Sequence, residues 1–138
     1  KKTTLTSIDL VIICDNQILL GLRNNNPARN FWFVPGCRTR KNEKINEGII
    51  RVAKTELNLD VDPKDFKLLG VYDHIYHNNF RNNNFGTHYV CSAYIIKLNK
   101  KPKIITDYQH EEIKLFDIDN VEINKKIHKY TRNYIKDL

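Results

Sequence analysis

The chain has no Met, one Trp, three Cys, four Pro and five Gly in 138 residues. Its three Cys (Cys14, Cys37, Cys91) are an odd number without metal-ligand spacing. That excludes a disulfide framework and a zinc-ligand motif, and it points to a reducing, cytoplasmic setting. No apolar run approaches the roughly 18 residues that cross a bilayer. The longest, Leu10 to Cys14, is strand-sized, so no membrane partner is expected. The first residues carry no charged head leading into an apolar stretch and a small-residue cleavage site, so no secretory leader is expected. Neither a repeat nor an interdomain linker interrupts the chain, which reads as one domain over positions 1–138. A hydrophobic fraction of 41% and a charged fraction of 28% exclude global disorder.

What is present in excess is positive charge. Lys and Arg number 23 against 16 Asp and Glu. Such a surface attracts nucleic acid or steers a small phosphorylated substrate toward a cleft. The plainer reading is a solubilising coat, because much of the excess is Lys in loops and the tail, from Lys100 and Lys101 to Lys125 and Lys126.

β-branched residues from Thr4 to Cys14, a turn at Asp15-Asn16 and a second run from Gln17 to Arg23 predict a hairpin. Phe31 to Val34 is a short aromatic strand ended by Pro35-Gly36. A polar, basic stretch then leads into a helix expected over 43–57, with Asn58 as its left-handed stop. Strands are expected over 66–77, 87–98 and 112–118, with an Asn-rich loop over 78–86. Ile127, Tyr130 or Thr131, Tyr134 and Leu138 at helical spacing predict a closing helix. Strands outnumber helices, which predicts an α/β fold: a mixed sheet with helices packed on its faces.

The mid-chain helix holds the most informative residue. At about 100° per residue, Ile45, Ile49, Val52 and Ala53 form one apolar stripe. Glu47 and Arg51 fall opposite, four apart with the acid first, the favourable order for an ion pair. Glu56 falls inside the apolar stripe. An ionised carboxylate there must meet a cation, bind a metal or take up a proton, unless the helix end frays and frees it to solvent.

The segment from 37 to 59 resembles the signature of the Nudix hydrolases: Gly, five residues, Glu, seven residues, then Arg-Glu-apolar-any-Glu-Glu-any-Gly-apolar. Cys37 stands at the first Gly, while Glu43, Arg51 and Glu56 match. Val52 and Thr55 replace two acids and Asn58 replaces the second Gly. The GDP-mannose mannosyl hydrolases lack those same acids, and this chain is similar to them along its length. The matching stretches include Leu19-Leu20-Gly21-Leu22-Arg23, Trp32-Phe33-Val34-Pro35-Gly36-Cys37-Arg38, Thr87-His88-Tyr89 and Gln109-His110.

The resemblance implies a Nudix-like α/β/α sandwich, a homodimer, and Mg²⁺-dependent hydrolysis of GDP-mannose, or GDP-glucose, to GDP and free hexose. Water would attack sugar C1 with inversion. It implies Mg²⁺ ligands in Glu56, the Gly36 main-chain oxygen and Gln109. Arg23 and Arg38 would hold the diphosphate with their guanidinium forks, Tyr89 would donate a hydroxyl, and Asp9 and His74 would surround the sugar. His110 is the candidate base, since an imidazole titrates near neutrality. Nucleic acid is not an expected partner on this reading. Two rivals are a Nudix pyrophosphatase that cuts P–O bonds in a nucleotide or capped RNA, and a non-catalytic nucleotide-binding module. Cys37 beside Arg38 invites a third thought, a thiolate nucleophile, set against a small packed Cys. Its place at a Gly position also raises the prospect of a strained backbone.

Overall fold

The fold is described by a computed structural model covering residues 3–23, 29–77, 86–102 and 110–138, without the side chains of His110 and Glu111. Strand β1 (Leu5–Cys14) is its axis. It meets β2 (Gln17–Arg23) in the expected hairpin, turning at Asp15 with φ 54°. The hairpin is short: only Ile13↔Ile18 and Cys14↔Gln17 pair. The two strands then part. β2 goes on to pair with β3 (Trp32–Phe33) and β7 (His110–Asp117), while β1 takes β4 (Gly36–Arg38) as its antiparallel neighbour. The other edge of β1 runs parallel to β6 (Thr87–Leu98) along its whole length, and β5 (Lys67–Tyr76) pairs antiparallel outside β6. A central strand covered on both faces needs apolar side chains on both, which accounts for the uninterrupted run Leu10 to Cys14.

Helix α1 (Ile45–Leu57) packs Ile49, Val52, Ala53 and Leu57 against Ile8, Leu10 and Ile12 on one face. Helix α2 (Lys129–Lys136) brings Tyr134 to the other, among Val11, Ile13, Phe33 and Ala93. The mixed sheet between helices is the architecture the sequence predicts.

Several local expectations need correction. β4 was expected to be a turn and polar lead-in; three residues are too short to carry a period, and β1 alone makes them a strand. α1 begins at Ile45, not 43, with Lys44 as its cap. Ile45 is 44% exposed, because the first helical residue lies before the stripe reaches the sheet. Arg51 pairs with Glu43 and not with Glu47: Nε lies 2.6 Å from Oε2, and Nη2 also donates to the Arg38 carbonyl at 2.8 Å. Glu43 precedes the helix, so its backbone is free to fold back over Arg51. Glu47 is occupied at the helix start, accepting from the Lys44 amide at 2.8 Å. Asn58 closes α1 in the left-handed conformation, φ 53°, as predicted. Among the described residues no helix is long and apolar enough to cross a membrane.

Candidate active site

Alternation along β1 separates its residues by face. Ile8, Leu10 and Ile12 point to α1, so Ser7, Asp9, Val11 and Ile13 share the opposite face. Asp9 thereby reaches the floor of a cleft of about 320 Å³, within the range of small-molecule sites. Seven residues singled out from the sequence line this cleft: Asp9, Arg23, Gly36, Cys37, Arg38, His74 and Tyr89. Arg23 ends β2 and Arg38 ends β4, so two guanidinium stems leave strand termini toward one space. His74 on β5 and Tyr89 on β6 are direct cross-strand partners. Phe33 and Tyr76 add aromatic wall that the sequence reading did not assign to the site.

Gly36 has to be glycine because of close approach. It pairs with Asp9, and a Cβ there would collide with Asp9 Oδ1 and lie 2.9 Å from the Ile8 carbonyl oxygen. Cys37, next to it, is half-buried in β4 opposite Ile8. Positive φ among the described non-glycine residues occurs at Asp15, Asn30, Asn42 and Asn58, so Cys37 fills a family Gly position without backbone strain. Its thiol meets Arg51 Nη1 at 3.6 Å.

Glu56 is fully buried on the α1 face that packs against the sheet, beside Ile49, Val52 and Ala53. The frayed-end alternative is therefore excluded. It does not line the cleft itself. A carboxylate at that depth needs positive charge or hydrogen bonds. The Glu56 carboxylate and the Gly36 carbonyl are oxygen donors of the type Mg²⁺ accepts, so the donor chemistry fits the expected ion. Gln109 lies outside the described residues. His110 is placed by its backbone alone, opposite Arg23 in the β2–β7 ladder.

The cleft floor is a polar cluster inside an otherwise apolar layer. Tyr134, fully buried, donates its hydroxyl to Asp9 Oδ2 at 2.5 Å and lies 3.1 Å from His74 Nε2. The other imidazole nitrogen, Nδ1, lies 3.1 Å from Cys91 Sγ, which accepts from Ser7 Oγ at 2.8 Å. His74 is thus at the site as expected, but both of its ring nitrogens are engaged within the protein. Burial pushes the Asp9 carboxyl up to about 7, less than burial alone would, because the Tyr134 hydroxyl and the Arg23 charge favour the anion. Burial likewise lowers His74 to about 4, with His128 adding to the effect, and raises the Cys91 thiol to about 12. Asp9, His74 and Cys91 bring ligand-type atoms within 4.8 Å of one another. Hydrogen bonds to Ser7 and Tyr134 already engage that set.

The sequence reading missed Tyr134, Cys91 and Ser7. Signals pointed to two of them, Tyr134 and Ser7. A Tyr on the buried stripe of a helix needs a partner for its hydroxyl, and Ser7 and Asp9 share one face of β1.

A NUDIX domain model matches residues 4–138. The low-salt glycan biosynthesis protein Agl8 of Haloferax volcanii is 34% identical over 131 residues, which span 95% of this chain and 80% of that protein. An ADP-ribose pyrophosphatase of Methanocaldococcus jannaschii is 39% identical over 66 residues, 48% of this chain and 38% of that one. The crystal structure of a MutT NUDIX hydrolase from Burkholderia pseudomallei superposes with a TM-score of 0.80 at 22% identity, covering 99% of both chains. A match to nearly the full length, over a segment that keeps Glu43, Arg51 and Glu56 of the signature, establishes that the chain belongs to the Nudix hydrolase family.

Proposed function

We propose that the chain hydrolyses a nucleotide-sugar of the GDP-mannose type, releasing GDP and free hexose through attack of water on sugar C1 with inversion. The observation that carries this reading is the make-up of the cleft and of the helix beneath it. Arg23, Arg38 and Tyr89 line the cleft above a floor whose one carboxylate among the described residues is Asp9. Cutting P–O bonds gathers several carboxylates around metal ions. Here the corresponding helix positions hold Thr55 and Val52, and Val52 is 0% exposed in the apolar core. The Haloferax relative is named for glycan biosynthesis, which is in keeping with a sugar-bearing substrate.

Each residue has a task set by charge. Breaking the C1–O bond leaves negative charge on the diphosphate, and the guanidinium forks of Arg23 and Arg38 stabilise it. Tyr89 donates its hydroxyl to the same group. The anomeric carbon turns cationic, and on this reading the Asp9 carboxylate on the cleft floor accepts from a sugar hydroxyl. His110, whose backbone lies beside Arg23, takes the proton of the attacking water. Glu56, the Gly36 carbonyl and Gln109 would hold a Mg²⁺ ion, which supplies Lewis-acid stabilisation to the leaving diphosphate when bound. A homodimer belongs to the same reading, and exposed Leu68 and Val71 on edge strand β5 suit such a contact.

The test is hydrolysis of GDP-mannose in ¹⁸O-labelled water. Label in the hexose and none in GDP is expected. Label in a phosphate product would replace carbon attack by the pyrophosphatase reaction, and no turnover of GDP-mannose would reject the substrate class.

A further inference from the structure

The polar cluster on the cleft floor has a direction. A phenol has one proton. Tyr134 gives it to Asp9 Oδ2 at 2.5 Å, so toward His74 Nε2, 3.1 Å away, its oxygen can only accept. That requires a proton on His74 Nε2. A neutral imidazole protonated at Nε2 carries a lone pair at Nδ1, which faces Cys91 Sγ at 3.1 Å. The thiol must therefore donate there, and its sulfur accepts in turn from Ser7 Oγ at 2.8 Å. Ser7, Cys91, His74, Tyr134 and Asp9 come from β1, β6, β5 and α2, and each donates to the next. The chain ends at the group that only accepts when ionised. All five are buried, none more than 7% exposed, so water does not compete for these bonds.

We propose that Tyr134 is a positioning residue: it closes a one-way hydrogen-bond chain running Ser7→Cys91→His74→Tyr134→Asp9, which locks His74 as the Nε2–H tautomer and holds the Asp9 carboxylate by Oδ2. Oδ1 lies against Gly36 at the cleft lining and is left to take a substrate hydroxyl. The chain also redefines His74. With both nitrogens engaged it acts through Tyr134 and does not touch the substrate. Tyr130 keeps the ring in plane, stacked on it at 4.2 Å between centroids and 3° between planes.

The catalytic consequence rests on the nucleotide-sugar reading, whereas the chain itself does not, so two measurements separate them. The first needs no turnover. Nitrogen-15 NMR of the imidazoles at about pH 8.5, above the Asp9 range, should give His74 as the Nε2–H tautomer in the wild type and a loss of that single tautomer in Tyr134→Phe. A Nδ1–H tautomer in the wild type would overturn the proposal, as would an unchanged spectrum in Tyr134→Phe. The second measures hexose release. Tyr134→Phe keeps the ring and should lower kcat by about 10–100-fold, the scale for misplacing one reacting group, with KM little moved and the circular dichroism spectrum of the folded protein unchanged. Cys91→Ser keeps a donor and should recover most of the activity that Cys91→Ala loses. Equal activity in the two Cys91 variants, or a Tyr134→Phe loss explained by unfolding alone, would overturn the proposal. A wild type that releases no hexose would refute the functional reading, while the tautomer would still decide the chain.

Discussion

Replacing Asp9 by Asn should make the protein more stable and the enzyme worse, and the stability gain should depend on pH. Burial raises the Asp9 carboxyl from 3.8 to about 7 in the folded chain. Between those values the native state keeps a proton that the unfolded chain has released. Native stability therefore falls as pH rises through this window. At about 1.4 kcal/mol per pH unit, the full span corresponds to roughly 4 kcal/mol, of which about 2 kcal/mol falls between pH 5 and pH 7, because the native carboxyl itself begins to ionise there. Asn has nearly the same shape, can still accept from Tyr134, and does not titrate. Urea midpoints of the two proteins, read from pH 5 to pH 8 with a chelator present, should diverge as pH rises and then run parallel above about pH 7.5. With a slope of about 1–3 kcal/mol per molar urea, the divergence is about 1–3 M. Hexose release should meanwhile drop, because an amide offers the substrate less negative charge, a trade between stability and function common at active sites. A midpoint difference independent of pH would refute the reasoning, since it would mean that Asp9 titrates alike in both states.

Arg38→Lys and Arg23→Lys should each lower kcat by about 10–1,000-fold, because Lys keeps the charge and loses the fork; wild-type turnover in both would make them surface charges. Glu56→Gln should raise the Mg²⁺ concentration for half-maximal activity about tenfold or more with an unchanged circular dichroism spectrum, and an unaltered Mg²⁺ titration would remove Glu56 from the ion. His128 caps α2 by accepting from the Tyr130 amide and is held down to about 4, mainly by burial. Its stabilisation is present above pH 6.5 and is lost as pH falls toward 4, so His128→Asn, which keeps a capping acceptor, should lose about 2–3 kcal/mol less than wild type between pH 6.5 and pH 4.5; equal acid sensitivity of the urea midpoints would show that His128 is not buried in its neutral form.

How much of this was legible in the sequence depended on whether a residue's setting was local. The β1 run, the Asp15 turn, the Asn58 stop and the α1 stripe all rest on short-range pattern, and they stand, Ile45 excepted. Glu56 was legible because a carboxylate on an apolar stripe contradicts its surroundings. β4 was not, since three residues have no period and their pairing with Ser7, Ile8 and Asp9 is long-range. The Glu43–Arg51 pair escaped because the i,i+4 rule holds only inside a helix, and Glu43 lies just outside one. Arg23, Arg38, Tyr89, Asp9 and His74 were found through family resemblance. Spacing could not have found them, because five separate strands deliver them to one cleft. The internal commitment of both His74 nitrogens was invisible for the same reason: its partners lie 17 and 60 residues away.

The two faces of β1 divide the work of this fold, and the division hangs on register. Ile8, Leu10 and Ile12 give α1 an apolar seat and so fix the helix that carries Glu56. Ser7 and Asp9, on the opposite face, build the polar floor of the cleft. A slip of one residue would exchange the faces. It would turn Asp9 toward α1, where Ile49, Val52 and Ala53 offer no donor, and bring Ile8 beneath the substrate. The ladder with β6 from Leu5↔Tyr89 to Cys14↔Leu98 prevents this on one side. On the other side Gly36 does so, because only a residue without Cβ lets the Asp9 carboxylate lie against β4. Tyr134 then ties the correct register to the last helix, since its hydroxyl meets Asp9 only when that side chain faces α2. The buried cluster thus selects the register of the central strand while it shapes the site. That dual demand explains why a fold of this size keeps an ionisable carboxyl in its core although removing it should stabilise the chain.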